Sequence, residues 1–264
     1  MTYKNLEALV SAEWLYENLD AAELKVVDAT WYLPNDGRRG IQTYHKSHIP
    51  GAVFFDIDEI SDPDSDLPHM LPNAEQFASQ VQKLGLGDDT NIVVYDANGG
   101  FMAACRVWWM LKVFGHKNVA ILNGGLPKWL AEGLPIDNQI TRPQELTFTA
   151  FKNTDMVRNV DQLIDNLEKR EELVVDVRSP GRFNGTEPEP RHSLRGGHIP
   201  GSVNIPIPMI MNPEDYFMFR SAEEIWANLS RAGLDFSRPV VTSCGSGVTA
   251  CVVSFALYLL GYPK

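Results

Sequence analysis

The sequence has few cysteines, and this scarcity excludes two kinds of site. Its 264 residues include only Cys105, Cys244 and Cys251, an odd number without any Cys-x-x-Cys pair. Neither a disulfide framework nor a zinc site built from thiolates is compatible with that pattern. We therefore expect free thiols, of which one is reactive, and we predict neither a metal nor a cofactor.

Long apolar runs and an excess of positive charge are also missing. The longest apolar run, Val248 to Leu260, is shorter than the ~20 residues that span a bilayer, and no signal-peptide stretch follows Met1. Lys and Arg number 23 against 34 Asp and Glu, so a net charge of −11 opposes binding to nucleic acids. The sequence predicts a soluble, cytoplasmic protein that binds neither membrane nor nucleic acid and builds any anion site locally.

The chain contains a second copy of its own pattern. Val26–Ala29 is followed by a His-Ile-Pro-Gly turn at 48–51, and the same order recurs as Val174–Val177 and 198–201. Each copy alternates short β-branched runs with segments of helical period. This alternation is typical of a domain with a mostly parallel sheet flanked by helices.

We predict an α/β protein with two similar domains, 1–134 and 157–264, joined by a surface linker over 135–156. The strand and helix predicted over Val119–Trp129 have no counterpart in the second copy, so the second domain is predicted to be truncated at its C-terminal end. The other predicted strands are Val26–Ala29, Val53–Phe55, Ile92–Tyr95, Leu173–Val177 and Val240–Thr242, and the predicted helices are Ser11–Asn18, Asn73–Leu84, Phe101–Phe114, Val160–Lys169 and Ser221–Arg231.

The duplication distinguishes structural residues from candidate catalytic residues, because residues found in both copies are expected to serve the fold. His48 and His198 occur in both copies and are predicted to brace turns. At the strand-to-helix turn, only the second copy carries a nucleophile, Cys244, where the first has Asp-Ala-Asn-Gly-Gly at 96–100. That cysteine follows a predicted parallel strand and precedes a helix predicted to begin near Val248, where ligand sites of α/β sheets gather.

The residues around Cys244 favour a reactive thiolate. Gly245 and Gly247 let the backbone curl so that main-chain amides converge on the sulfur above the positive end of the helix. Cys105 and Cys251 lie within apolar helices and are predicted to be core residues.

Three separated motifs resemble those of the tandem-rhodanese sulfurtransferases, and the resemblance covers nearly the whole chain. The motifs are Cys-Gly-Ser-Gly-Val-Thr at 244–249, Gly-Arg-Phe-Asn-Gly-Thr-Glu-Pro-Glu-Pro-Arg at 181–191, and Phe-Phe-Asp-Ile-Asp at 54–58 with His-Met-Leu-Pro at 69–72. The resemblance implies that Cys244 takes a sulfur atom from a donor, becomes a persulfide, and passes the sulfur to a thiol or to cyanide.

The same resemblance implies roles for other residues. Arg182 and Arg191 would grip the carboxylate of the donor, a task that suits the fork shape of guanidinium groups. Ser246, His69 and Asp58 would form a relay that protonates the departing pyruvate enolate, which implies a site between the two domains. The loop residues Gly245, Gly247, Val248 and Thr249 would bind substrate.

Without the resemblance, these residues keep other interpretations. Both arginines are equally compatible with surface ion pairs to Glu187 and Glu189. Asp58 and His69 would be solvated loop residues, and the serine would be only a small residue in a tight loop.

The uncharged cysteine loop favours one sulfur donor. Rhodanese-type loops that prefer the thiosulfate dianion carry cationic side chains between the cysteine and the threonine, whereas the residues at 245–247 are uncharged. We therefore predict 3-mercaptopyruvate as the donor, with thiosulfate as the alternative. The acceptor is predicted to be a thioredoxin-like protein, glutathione or cyanide.

Two other functions compete with sulfur transfer. A Cys-x5-Arg phosphatase needs an arginine six positions after the cysteine, where this chain has Ala250. The second is a non-enzymatic persulfide carrier or interaction module, which the truncated second domain favours and the retained Cys244 opposes.

Overall fold

Strands and helices alternate through both halves of the chain in this computed structural model, which describes residues 1–99, 102–191 and 195–262. The predicted α/β class is confirmed, because each half is built on a parallel sheet flanked by helices. The strands are β1 Leu9–Val10, β2 Leu24–Asp28, β3 Val53–Phe54, β4 Asn91–Tyr95, β5 Val119–Leu122, β6 Leu173–Asp176, β7 Val203–Asn204, β8 Met211–Asn212, β9 Met218–Phe219 and β10 Val240–Ser243. The helices are α1 Ala12–Asn18, α2 Gly40–Lys46, α3 Ala74–Lys83, α4 Met102–Val113, α5 Gly125–Ala131, α6 Val160–Lys169, α7 Pro180–Asn184, α8 Ala222–Arg231 and α9 Ala250–Leu259, with 3-10 turns at Leu6–Ala8, Thr154–Met156 and Ile207–Met209.

The first domain is built on five parallel strands in the order β1-β5-β4-β2-β3. Strands β2, β4 and β5 are nearly continuous runs of buried residues, as expected of a sheet covered on both faces. Asp28 pairs with Tyr95 in the register, so the carboxyl ends of β2 and β4 meet at one edge. The chain after β3 leaves from this same edge and carries Asp58 and His69.

The second domain repeats the centre of that sheet. Its strands are parallel in the order β10-β6-β7, and Ser243 pairs with Asp176. In the described part of the chain, no strand lies beside β10 as β5 lies beside β4, which matches the missing repeat noted in the sequence. A cavity of about 850 Å³ lies there instead and reaches Cys244. Apolar residues of the neighbouring α6, including Val160 and Ile164, are exposed.

Helix boundaries follow the capping residues in the sequence. The helix α6 spans the predicted residues, α1 and α8 begin one residue later than predicted, α4 ends one residue earlier, and α3 is one residue shorter at each end. Phe101, included in the helix predicted over Phe101–Phe114, lies outside the described residues. Within the described ranges, no helix has both the length and the apolar character to cross a membrane. Side chains of Ser11, Asn73, Asn159 and Ser221 each accept a hydrogen bond from the main-chain N–H three residues ahead.

The last helix begins later than its sequence suggests. We expected a start near Val248, but α9 begins at Ala250. The backbone of Gly247 has a φ of +74°, a conformation that favours glycine, so the loop turns there before the helix can form. The short elements β1, β7, α2, α7 and the antiparallel hairpin β8–β9 were not predicted, because so few residues show no periodicity.

One apolar core extends across both domains through α4 and α9. Trp108 of α4 packs edge-on against Phe255 of α9, with ring centroids 4.8 Å apart. Cys105 and Cys251, one on each helix, are buried in this core, as the sequence predicts. The cysteine loop that precedes α9 is therefore held near the first domain, and Arg106 of α4 donates to its Gly247 carbonyl.

The segment over 135–156 follows the first domain. Asp137 and His48 exchange two main-chain hydrogen bonds, and His48 Nδ1 lies 2.7 Å from the carbonyl oxygen of Tyr44. Phe148 is buried and packs edge-on against Phe77 of α3. This segment thus contributes a side chain to the apolar core.

Asp28 is fully buried at the carboxyl end of β2. Its Oδ1 accepts a hydrogen bond from the main-chain N–H of Thr30 at 2.8 Å. Burial raises the pKa of Asp28 to about 6, although hydrogen bonds with Thr30 and Tyr95 act in the opposite direction. The folded protein therefore binds a proton at this carboxyl more tightly than the unfolded chain does.

The substitution Asp28→Asn should change how stability depends on pH. In the wild type, the contribution of Asp28 to the free energy of unfolding falls by about 3 kcal/mol as pH rises from about 4 to about 6. The amide has no charge to bury, so the free energy of unfolding of the variant rises relative to that of the wild type by about 3 kcal/mol across this pH range. The difference stays constant at higher pH. Urea unfolding at a series of pH values measures the effect, with Asp64→Asn in an exposed loop as control. A difference that does not change with pH would contradict the prediction.

Candidate active site

Cys244 lies between the end of β10 and the start of α9, the position expected from the sequence. Its side chain is partly exposed, and its Sγ accepts a hydrogen bond from the main-chain N–H of Ala250 at 3.4 Å. Because Ala250 begins α9, the sulfur lies at the positive end of a helix. This placement stabilises negative charge on the sulfur.

The chain between β3 and α3 brings two first-domain side chains to the cysteine loop. His69 Nδ1 lies 2.9 Å from Ser246 Oγ, and His69 Nε2 lies 2.8 Å from Asp58 Oδ1. The imidazole is buried, with the residue 6% exposed, so it is not the solvated loop residue that the pattern alone allows. The three residues form a continuous chain of hydrogen bonds that crosses from one domain to the other.

The charge on Asp58 sets the direction of this chain. Its hydrogen bond with His69 lowers the pKa of Asp58 despite partial burial, and a hydrogen bond from Trp31 adds to the effect. An ionised carboxylate can only accept, so Nε2 of the imidazole carries the hydrogen. Nδ1 then accepts from the hydroxyl of Ser246, which polarises the serine towards the histidine.

Trp31 supports this arrangement, although the sequence analysis did not single it out. Its Nε1 donates to Asp58 Oδ2 at 3.1 Å, and its ring meets the His69 ring edge-on with centroids 5.1 Å apart. Nothing in the local pattern marks Trp31, because it stands in an irregular segment after β2.

Arg106 is a second residue that the sequence analysis missed. Its Nη1 donates to the carbonyl oxygen of Gly247 at 3.1 Å, and its Nη2 donates to that of His69 at 2.5 Å. A guanidinium within the apolar run from Met102 to Leu111 was the signal that could have revealed it, because a buried charge needs specific partners.

Two arginines of the motif at 181–191 face the cysteine loop. A Cβ placed on Gly245 would lie 3.1 Å from Arg182 Nη2 and 4.0 Å from Arg191 Nη1, so the missing side chain allows this close approach. Arg182 also donates to Glu189 through Nε and Nη2, at 3.1 and 2.5 Å. Arg182 therefore forms an ion pair with Glu189 and lies beside the cysteine loop at the same time.

Glu189 anchors this side of the site. Its side chain is 2% exposed and also accepts from Arg178 Nη1 at 2.7 Å, while Arg178 pairs with Asp176 at the end of β6. Burial disfavours the charge, but the hydrogen bonds and charges of Arg182 and Arg178 hold the pKa of Glu189 below its usual range. The network fixes the orientation of Arg182.

The remaining loop residues follow the cysteine in the chain. The side chain of Val248 is buried in the apolar core. Thr249 is the last residue before α9 and has helical φ and ψ. Across residues 1–99, 102–191 and 195–262, no cluster of three or more His, Cys, Asp or Glu side chains is arranged to hold a metal ion.

Two regions of the chain, residues 11–132 and 159–264, match the model of the rhodanese-like domain. This chain belongs to the rhodanese-like domain family. The duplication in the sequence is therefore a tandem of two rhodanese-like domains, of which the second carries the cysteine loop.

Relatives that match nearly the whole chain are named as sulfurtransferases. Human 3-mercaptopyruvate sulfurtransferase is 45% identical over 261 residues, which cover 97% of this chain and 87% of that protein. Thiosulfate sulfurtransferase of Bos taurus is 43% identical over 262 residues, with the same coverage of 97% and 87%. The crystal structure of SseA from Escherichia coli, described as a 3-mercaptopyruvate sulfotransferase, superimposes with a TM-score of 0.88 at 37% identity, covering 97% of this chain and 95% of that one. Sulfur-group transfer is thus the activity of this protein.

Replacing Glu189 with Gln in this rhodanese-like domain should weaken binding of an anionic donor. The neutral amide loses the charge-assisted hydrogen bonds that orient Arg182, so KM should rise about tenfold while kcat changes less. Steady-state kinetics with 3-mercaptopyruvate measure this split. Glu187→Gln is the matched control, because Glu187 is exposed and bonded to Ser179. An unchanged KM in the Glu189 variant would contradict the proposed orientation of the arginine.

Proposed function

We propose that this protein moves a sulfur atom from 3-mercaptopyruvate through a persulfide on Cys244 to a thiol or to cyanide. The observation that carries the proposal is the chain from Asp58 through His69 to Ser246, which stands two residues from the cysteine with contacts of 2.8 and 2.9 Å. A relay of this kind serves a reaction in which a carbanion-like leaving group needs a proton. Departure of pyruvate from mercaptopyruvate is such a reaction.

The first step forms a sulfur–sulfur bond and breaks a carbon–sulfur bond. The thiolate of Cys244 attacks the sulfur of the donor, and the electron pair of the broken bond moves into the pyruvate enolate. Protonation of the enolate yields pyruvate, so cysteine thiol and mercaptopyruvate become cysteine persulfide and pyruvate without any outside oxidant or reductant.

The arginines bind and orient the donor. Arg182 and Arg191 both approach Gly245, where the carboxylate of a donor can accept from their guanidinium groups. Glu189 accepts from Nε and Nη2 of Arg182, which fixes the guanidinium with Nη2 beside Gly245.

The relay moves one proton within the site. Ser246 takes the proton of the donor thiol as its own hydroxyl proton passes to His69 Nδ1, and the ionised Asp58 stabilises the resulting imidazolium. The same proton returns through the serine to the enolate. The relay is thus restored at the end of the step.

The second step returns the enzyme to its starting state. An acceptor thiolate attacks the outer sulfur of the persulfide and leaves Cys244 as thiolate, or cyanide attacks it and departs as thiocyanate. We propose a thioredoxin-like protein or glutathione as the thiol acceptor. Partial exposure of the cysteine supports access by such a partner.

The donor preference is a first test. Because residues 245–247 carry no positive side chain, a dianion gains little from the loop, and kcat/KM should be higher for 3-mercaptopyruvate than for thiosulfate with cyanide as the common acceptor. A relative at 43% identity is named thiosulfate sulfurtransferase, so thiosulfate is the natural comparison. The reverse order of kcat/KM would assign the protein to thiosulfate instead.

A second test identifies the carrier of the sulfur. Treatment with 3-mercaptopyruvate in the absence of acceptor should add the mass of one sulfur atom, and peptide mapping should locate it on Cys244. The substitution Cys244→Ser should abolish the addition, and the buried Cys105 and Cys251 should stay unmodified. An added sulfur that persists in the serine variant would exclude Cys244 as the carrier.

The relay is tested by His69→Ala. Loss of the proton path should lower kcat with 3-mercaptopyruvate by about 100-fold and leave KM nearly unchanged, since the arginines that bind the donor are untouched. His45→Ala, at an exposed position of α2, is the matched control. Equal activity of the two variants would remove the relay from the mechanism.

The cytoplasm is our proposed compartment. A relative from Arabidopsis thaliana, 40% identical, is named as a mitochondrial thiosulfate/3-mercaptopyruvate sulfurtransferase, so the choice between these compartments needs a direct measurement. Cell fractionation followed by the donor assay makes it.

A further inference from the structure

Arg106 is a buried cation for which the proposed sulfur transfer has no role so far. It is 4% exposed within α4, and burial lowers the pKa of its guanidinium, although the nearby Cys251 and Cys244 act in the opposite direction. Both of its hydrogen-bonding nitrogens donate to main-chain carbonyls, and its Nε has no partner among the described residues. Burying a charge in this way is costly unless its contacts serve a purpose.

The two carbonyls belong to opposite sides of the domain boundary. One is that of His69, and the other is that of Gly247, the residue after Ser246. One guanidinium therefore spans the gap that the His69–Ser246 hydrogen bond also spans. The separation of the two main-chain oxygens is set by a rigid planar fork.

Both carbonyl-bearing residues have unusual backbone conformations. His69 has a φ of +59° and Gly247 a φ of +74°. A positive φ is disfavoured for a residue with a side chain, so the backbone of His69 needs an external contact to hold it. The Arg106 Nη2 bond is such a contact, and the guanidinium is itself held over the ring of Trp109 at 4.8 Å.

We infer that Arg106 is a positioning residue for the proton relay: its fork holds the backbones of His69 and of the cysteine loop in the relative position at which the His69–Ser246 hydrogen bond forms. The inference rests on the proposed function, because it concerns a step of that reaction. The inference predicts that the shape of the side chain matters and not only its charge. A lysine ammonium carries the same charge but lacks the planar fork that joins two carbonyls.

The test compares Arg106→Lys in two backgrounds, wild type and His69→Ala. Single-turnover persulfide formation with 3-mercaptopyruvate is followed by mass spectrometry, which resolves slow reactions. In the wild-type background, the substitution should lower the rate by about 100-fold, as expected when reacting groups are misplaced, with KM nearly unchanged. In the His69→Ala background it should change the rate by less than about twofold, because the relay is already absent.

Other results separate the inference from the proposed function. Equal losses in the two backgrounds, or no loss in the wild-type background, would make Arg106 a structural residue only and overturn the inference. Arg106→Met is the second variant, and if thermal unfolding shows that neither variant folds, the role is likewise structural and the inference fails. Wild-type protein in the same assay is the control for the function itself, because absence of its persulfide would defeat the proposed reaction whatever Arg106 does.

Discussion

The packing of α4 against α9 is the contact on which the site depends. The helix α9 follows the cysteine loop, and Arg106 of α4 donates to the main-chain carbonyls of His69 and Gly247, so bringing the helices together also brings the two parts of the site together. The contact is apolar, with Trp108 against Phe255, and its strength comes from surface removed from water. The proposed relay is divided between the two domains that this contact joins, with Ser246 on one and His69 on the other.

Local charge in the site runs against the charge of the whole molecule. The chain carries a net charge of −11, yet Arg182 and Arg191 converge on the cysteine loop. Glu189 makes this concentration of positive charge tolerable, because it pairs with Arg182 and Arg178 and is itself buried. The two arginines thus form a small cationic region on an anionic protein, and the overall field discourages large polyanions from approaching it.

Much of the fold could be predicted because duplication shows each local pattern twice. Buried parallel strands and capped helices such as α6 have periodicity and end signals of their own, and seeing each pattern twice confirmed the α/β class. The position of Cys244 could also be predicted from the local sequence, in which a strand is followed by a glycine-containing loop and then by a helix. The contact between the domains could not be predicted from local order, because His69 and Ser246 are 177 positions apart and no local pattern relates them. Only the family resemblance grouped these two residues. Trp31 and Arg106 were missed for the same reason, since their partners are distant in the chain.

The burial of two thiols leaves the native chain with a single sulfhydryl that a reagent can reach. Cys105 and Cys251 are 0% and 3% exposed, and burial raises the pKa of Cys251 to about 12 and that of Cys105 well above its usual range. An alkylating dye at neutral pH will therefore label folded molecules once and denatured molecules three times. The number of dye molecules per chain therefore measures the folded fraction of a preparation. The dye also labels Cys244 specifically without any engineered cysteine.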